Sequence, residues 1–208
     1  MTVLAIAPIV EGHGEVASVR KLIERTLETV AHSCVPFVLQ PIRVPKSKIV
    51  QDVSELLRAV DLAALKLSSA PADRHTVLLL LDADDDAACV LGPSLLSAIQ
   101  SERAHLDVTC VIAVVEYETW LVAGAETLGS CMVDGFATLI PTDPEAQRIG
   151  KGWIERLIAG PKYSETVDQV RLTARFCVST ARERSKSFDK FCRELEKRCL
   201  GTGHPAPP

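Results

Sequence analysis

The chain has 208 residues, is 47% hydrophobic and carries a formal charge of −4. It is long and apolar enough for one packed core, yet no apolar stretch approaches the roughly 20 residues of a membrane-spanning helix. Seven cysteines, odd in number and never spaced C-x-x-C, exclude a zinc cluster and predict reduced, mostly buried thiols rather than a disulfide framework.

Residues 3–10 (VLAIAPIV) predict a first strand, with Pro8 expected at a sheet edge or near the strand's end because it lacks an amide hydrogen. Glu11 interrupts the apolar run too early for a secretory leader, so a cytoplasmic protein is expected. The loop Glu11-Gly12-His13-Gly14-Glu15 opens a helix over 15–31, whose Val16, Val19, Leu22, Ile23, Leu27 and Val30 recur at spacings of three and four. Gly12 and Gly14 let the backbone turn sharply and leave room for a ligand's close approach. Residues 35–44 are extended and punctuated by prolines, and 52–67 return to helical spacing. Val77–Leu81 is a fully apolar run, as in a strand buried on both faces, and it leads into Asp82-Ala83-Asp84-Asp85-Asp86. Pro93 is placed to begin the next helix. Residues 108–115 (VTCVIAVV) form another apolar strand, followed by Glu116 and Glu118.

Beyond about 120 the pattern becomes helical and irregular. KGWIERLI reads as one helix, and 165–199 as two more that split near Ser185-Lys186-Ser187, with Ser185 and Ser187 as caps and Phe188 and Phe191 inward. Trp120 and Trp153 are expected in the core. Strands alternating with helices predict an α/β fold, a mostly parallel sheet covered on both faces, with a helical C-terminal region. The expected organisation is a core over 1–124, an extension over 125–199 packed on it, and a disordered tail at 200–208.

Three strands thus deliver acids to one sheet edge, where open α/β sheets bind ligands. Crowded carboxylates repel one another unless a cation neutralises them, so the pattern predicts a hard metal with oxygen ligands, Mg2+ or Mn2+. Residues 1–144 carry a balance of −9 and residues 145–208 one of +5, which suits a metal site that receives a polyanion. Carboxylates with divalent ions are the chemistry of phosphoryl transfer. Lys151 and Lys162 are the candidate basic residues for the phosphate, with Arg171 and Arg175 behind them; the alternative for each is an ordinary solvated cation.

A strand-end Glu-Gly followed by a strand-end Asp-x-Asp resembles the Toprim domain of topoisomerases, primases and OLD-type nucleases. The longer stretches APIVEGHGEV, LLLLDADDDA, EYETWLVAGAE, KYSETVDQVRLTARF and SKSFDKF are similar to the bacterial family known as domain of unknown function 4276, over residues 3 to 195. The resemblance implies a Toprim-like fold, a nuclease role, and an ATPase partner in a bacterial defence-type system. It gives Glu11 as proton-transfer group, Glu15, Asp82 and Asp84 as metal ligands, and Glu116 or Glu118 as a further ligand. A second domain with a nucleophilic tyrosine is not recognisable, and with only Tyr117 and Tyr163 present covalent strand passage is not expected. The competing readings are a phosphatase or nucleotidyl transferase for a small phosphorylated substrate, and a non-catalytic subunit with a structural cation. A homodimer is left open.

Overall fold

The computed structural model describes residues 1–201. A wholly parallel sheet is built from β1 (Thr2–Val10), β2 (Cys34–Val38), β3 (Ile42–Arg43), β4 (Arg74–Asp82) and β5 (Val108–Ala113), in the order β2-β1-β4-β5. β3 continues alongside β1 beyond β2. Residues 4–10 of β1, 76–81 of β4 and 108–113 of β5 are buried without interruption, which is why these strands are runs of Val, Leu, Ile and Ala rather than alternations.

The pleat divides that apolar set into two cores. Leu4, Ile6, Val10, Leu78, Leu80, Val111 and Ala113 face one side. There they meet α1 (His13–Val30), α5 (Tyr117–Ala123), α6 (Lys151–Leu157), α7 (Val170–Thr173), α8 (Val178–Arg184) and α9 (Lys186–Leu200). Ala5, Ala7, Ile9, Val77, Leu79, Leu81 and Ile112 face the other, covered by α3 (Val53–Leu67) and α4 (Ala88–Glu102). The first core runs without a break across residue 124, so the C-terminal helices share the sheet's own core. Trp120 lies at its centre against Tyr117, Phe188 and Phe191, and Trp153 is buried beside Phe136.

Several local expectations are corrected. Pro8 sits not at a sheet edge but near the end of central β1, the other expected place, between the last β2 pair, Ile6 with Val38, and the first β3 pair, Ile9 with Ile42. Its missing donor falls where the neighbouring strand is interrupted. Residues 46–51, unassigned from sequence, form α2 (Lys46–Gln51). Pro93 lies inside α4, which starts at Ala88; the carbonyl it leaves without an amide partner, four residues back, belongs to exposed Cys89 and can meet water. β5 ends at Ala113 because Val115 is left-handed, with φ 66°. Cys34 and Cys199 form a disulfide joining β2 to the end of α9, with Cα atoms 5.8 Å apart; the expectation of reduced thiols throughout fails for this pair. The pair is 165 residues apart in sequence, so only the folded layers bring it together. Of the expected tail, Leu200 ends α9 and Gly201 caps it, while 202–208 lie outside the described residues. Among the described residues no helix is long and apolar enough to cross a membrane.

Candidate functional site

Because every strand pair is parallel, the carboxyl ends of β1, β4 and β5 share one edge. Glu11 follows β1 directly, Asp82 is the last residue of β4, and Glu116 precedes α5 by one residue. The loops beyond β4 and β5 are tied together: the Ala83 amide donates to the Ala113 carbonyl at 2.8 Å and the Asp84 amide to the Val115 carbonyl at 2.7 Å. Asp84 (φ 51°), Val115 (φ 66°) and Arg148 (φ 50°) are the described non-glycine residues with left-handed backbone, and all three meet here. A β-branched residue in that conformation is strained, and strain of this kind persists where surrounding contacts over-determine it.

Among the described residues, one set of acids forms a cluster with no ion-paired side chain. Glu15, 9% exposed, sits in the first turn of α1; its Oε2 accepts from the Gly12 amide at 2.7 Å and its Oε1 from Gln169 Nε2 at 2.9 Å. Glu118, 4% exposed, accepts from Tyr163 O–H at 2.7 Å and from the same Gln169 nitrogen at 3.2 Å. Glu116 accepts from the Lys151 backbone amide. The helix N-termini of α1 and α5 add favourable dipoles for these charges. Glu11 differs: its buried Oε2 has no hydrogen-bond partner among the described residues. Burial raises the Glu11 pKa, opposed by the backbone amide and the charge of Lys46 and reinforced by the charges of Asp84 and Glu15. Withdrawal from water pushes Asp82 well above the usual carboxylate range, and the charges of Glu15, Glu118, Glu11 and Glu116 push it further. Burial likewise raises Glu118 to about 7, against the Tyr163 hydrogen bond.

The remaining acids are neutralised. Asp84 leaves the strand direction at its left-handed φ, two residues after β4 ends at Asp82. Its side chain, 63% exposed, pairs with Lys46 Nζ at 2.5 Å, and Asp86 pairs with the same nitrogen at 3.1 Å. Arg148 Nη2 bonds Asp85 at 2.6 Å and the Asp84 carbonyl at 3.1 Å.

Among the basic candidates, Lys151 adjoins the cluster through its amide, while its ammonium pairs with Glu165 at 2.5 Å. Arg171 pairs with Asp168, Arg175 bonds Ser130, and Lys162 is exposed. Gly12 supplies the amide that fixes Glu15, and a side chain on Gly14 would collide with Gln169 at 2.7 Å.

The residues not anticipated are Lys46, Arg148, Gly150, Tyr163 and Gln169. Gly150 abuts the Glu116 carboxylate so closely that any side chain there would displace it. Gln169 ends a π-helical turn, Glu165–Gln169, and its Oε1 accepts from Ser18 at 2.7 Å, so the amide is held at both ends. Such widened turns recur at functional sites. The one signal in the sequence was that Tyr163 and Gln169 both lie in KYSETVDQVRLTARF, a stretch that carries the family resemblance.

Among the described residues no group of three or more His, Cys, Asp or Glu side chains is placed to hold a metal ion as the site stands. The donor set nevertheless fits a hard divalent ion: it is all oxygen, it carries an unpartnered buried Glu11 oxygen, and its mutual repulsion would be relieved by positive charge. The family model described as Domain of unknown function (DUF4276) matches residues 10–196. No curated protein and no solved structure matches the chain.

Proposed function

The chain belongs to the family Domain of unknown function (DUF4276), and we propose that it is a Toprim-type, Mg2+- or Mn2+-dependent phosphodiester hydrolase acting on nucleic acid. The observation that carries this reading is the contrast at the sheet edge: Glu11, Glu15, Asp82, Glu116 and Glu118 crowd together with no ion-paired side chain among the described residues, while the aspartates beside them are neutralised by Lys46 and Arg148. An uncompensated cluster of this kind costs stability, and a cation is the partner that removes the cost.

Asp82, Glu15, Glu118 and Glu116 would hold the ion, with Asp84 at the rim. When bound, it would supply Lewis acidity toward a phosphate oxygen. Gln169, Tyr163 and the Gly12 and Lys151 amides fix three of these carboxylates in place, which is the supporting shell such a site needs. Glu11 is the proton-transfer group. Its free oxygen can accept a proton from water as the new phosphorus–oxygen bond forms and the ester bond breaks, and a raised pKa brings it closer to neutral pH. Lys151, at the edge of the cluster, and Arg148, whose side chain is more than half exposed, suit the phosphodiester backbone. Cytoplasmic location and action with an ATPase partner belong to the same proposal.

Incubation with plasmid, linear duplex and RNA, each with Mg2+, Mn2+ or EDTA, tests it. The expected result is strand cleavage in at least one metal-containing reaction and none in EDTA. Intact polymers with release of phosphate from small esters would instead indicate a phosphatase, and no hydrolysis of either would indicate a non-catalytic subunit.

A further inference from the structure

The strongest unassigned feature is the environment of Lys46. Its side chain is only 12% exposed, and its ammonium lies 2.5 Å from Asp84 Oδ2, 3.1 Å from Asp86 Oδ2, 3.1 Å from the Asp82 carbonyl and 2.9 Å from the Ala83 carbonyl. Four oxygens, two of them anionic, surround one nitrogen that has three hydrogens to give. That is a cage of hard oxygen donors around a single positive charge, the surroundings a divalent ion takes elsewhere. Arg148 closes the same loop from outside by taking Asp85 and the Asp84 carbonyl. Among the described residues no cation holds the carboxylate of Asp82, unlike those of Asp84, Asp85 and Asp86, and it feels the charges of Glu11, Glu15, Glu116 and Glu118.

We propose that Lys46 is a resident cation: its ammonium fills the place a second divalent ion would take between Asp84 and Asp86, so that the edge binds one divalent ion, on the Asp82 side. This inference rests on the metal-dependent reading above and specifies its stoichiometry. It makes Lys46 a positioning residue, because the same contacts hold the Asp82 and Ala83 carbonyls and thereby the direction in which Asp82 leaves β4. The lysine comes from the start of α2, directly after β3 has brought the chain alongside the end of β1. Only a chain arriving at that edge can insert an ammonium there.

The test counts bound Mn2+ by equilibrium dialysis and electron paramagnetic resonance in the full-length wild type, Lys46→Met and Lys46→Arg, with melting curves to confirm folding. Expected are one Mn2+ per chain in wild type and in Lys46→Arg, and two in Lys46→Met, where freed Asp84 and Asp86 accept a second ion whose spin couples to the first. A purely structural lysine would lower the melting temperature of Lys46→Met and leave the count at one, which overturns the proposal. Two ions in wild type also overturn it, while leaving the hydrolase reading intact, and this holds even if Lys46→Met does not fold. No bound Mn2+ in wild type overturns both.

Discussion

At the scale of single residues, the acids of the edge differ by what holds them. Glu15 and Glu118 are fixed by Gly12, Gln169 and Tyr163, whereas Glu11 keeps a bare oxygen. Glu11→Gln preserves size and removes the proton-accepting charge, so turnover should fall by about 10²–10⁴-fold, the usual contribution of a positioned proton-transfer group. Mn2+ affinity should fall far less than in Asp82→Asn. Equal loss of metal in both variants would make Glu11 a ligand instead. Glu118 carries a pH signature of its own. Its folded pKa of about 7 lies above the ordinary value of 4.5, so its contribution is fully present below pH 4.5 and is lost as pH rises through 7. Metal-free protein should therefore lose up to about 3 kcal/mol from this group between pH 4.5 and 8, with Asp82 acting in the same direction. Glu118→Gln should flatten that slope in urea titrations; an unchanged slope would show that burial of Glu118 has been overstated.

Between elements, the site depends on junctions more than on helices. Ser187, near the start of α9, accepts from the Val114 amide at 3.1 Å and from Trp120 Nε1 at 2.7 Å, and donates to Glu145 at 2.5 Å. It pins the β5–α5 turn, which carries Glu116 and Glu118, to the helix on the sheet's face. Ser187→Ala leaves two donors without an acceptor and should destabilise by roughly 1–3 kcal/mol, seen as a lower urea midpoint with unchanged slope. A change below about 0.5 kcal/mol would mean the turn is held without it. The strands and the acids that end them were legible in the sequence because unbroken runs such as Val77–Leu81 have few other uses. Ser185 was legible as the cap of α9, but Ser187, expected as a second cap, lies inside the helix, and its tie to Trp120 spans 67 residues. Lys46, 38 residues from Asp84, and Gln169, 154 from Glu15, were invisible for the same reason: no local pattern marks a partner supplied by topology. Nor did the sequence mark the parting of Asp82 and Asp84: β4 ends at Asp82, and two residues later Asp84 turns left-handed.

For the whole molecule, the two cores, the shared strand edge and the disulfide describe one cooperative unit. Ellman's titration of unreduced, unfolded protein should find five thiols, those of Cys89, Cys110, Cys131, Cys177 and Cys192. Reduction of Cys34–Cys199 should cost about 2–4 kcal/mol; seven thiols before reduction would remove the staple from the account. The central claim is that the acids around Asp82 form a divalent-cation site at the carboxyl edge of the sheet. It is tested most directly by melting curves at pH 8 across Mg2+ and Mn2+ concentrations, for wild type and Asp82→Asn side by side. At metal concentrations about 100 times the dissociation constant, wild type should gain about 2.7 kcal/mol, a rise of roughly 5–10 °C. Asp82→Asn should start at or above the wild-type temperature without metal, since one repelling charge is gone, and should barely respond. A wild-type melting temperature unmoved through millimolar Mg2+ and Mn2+, or an Asp82→Asn response equal to wild type, would contradict the account.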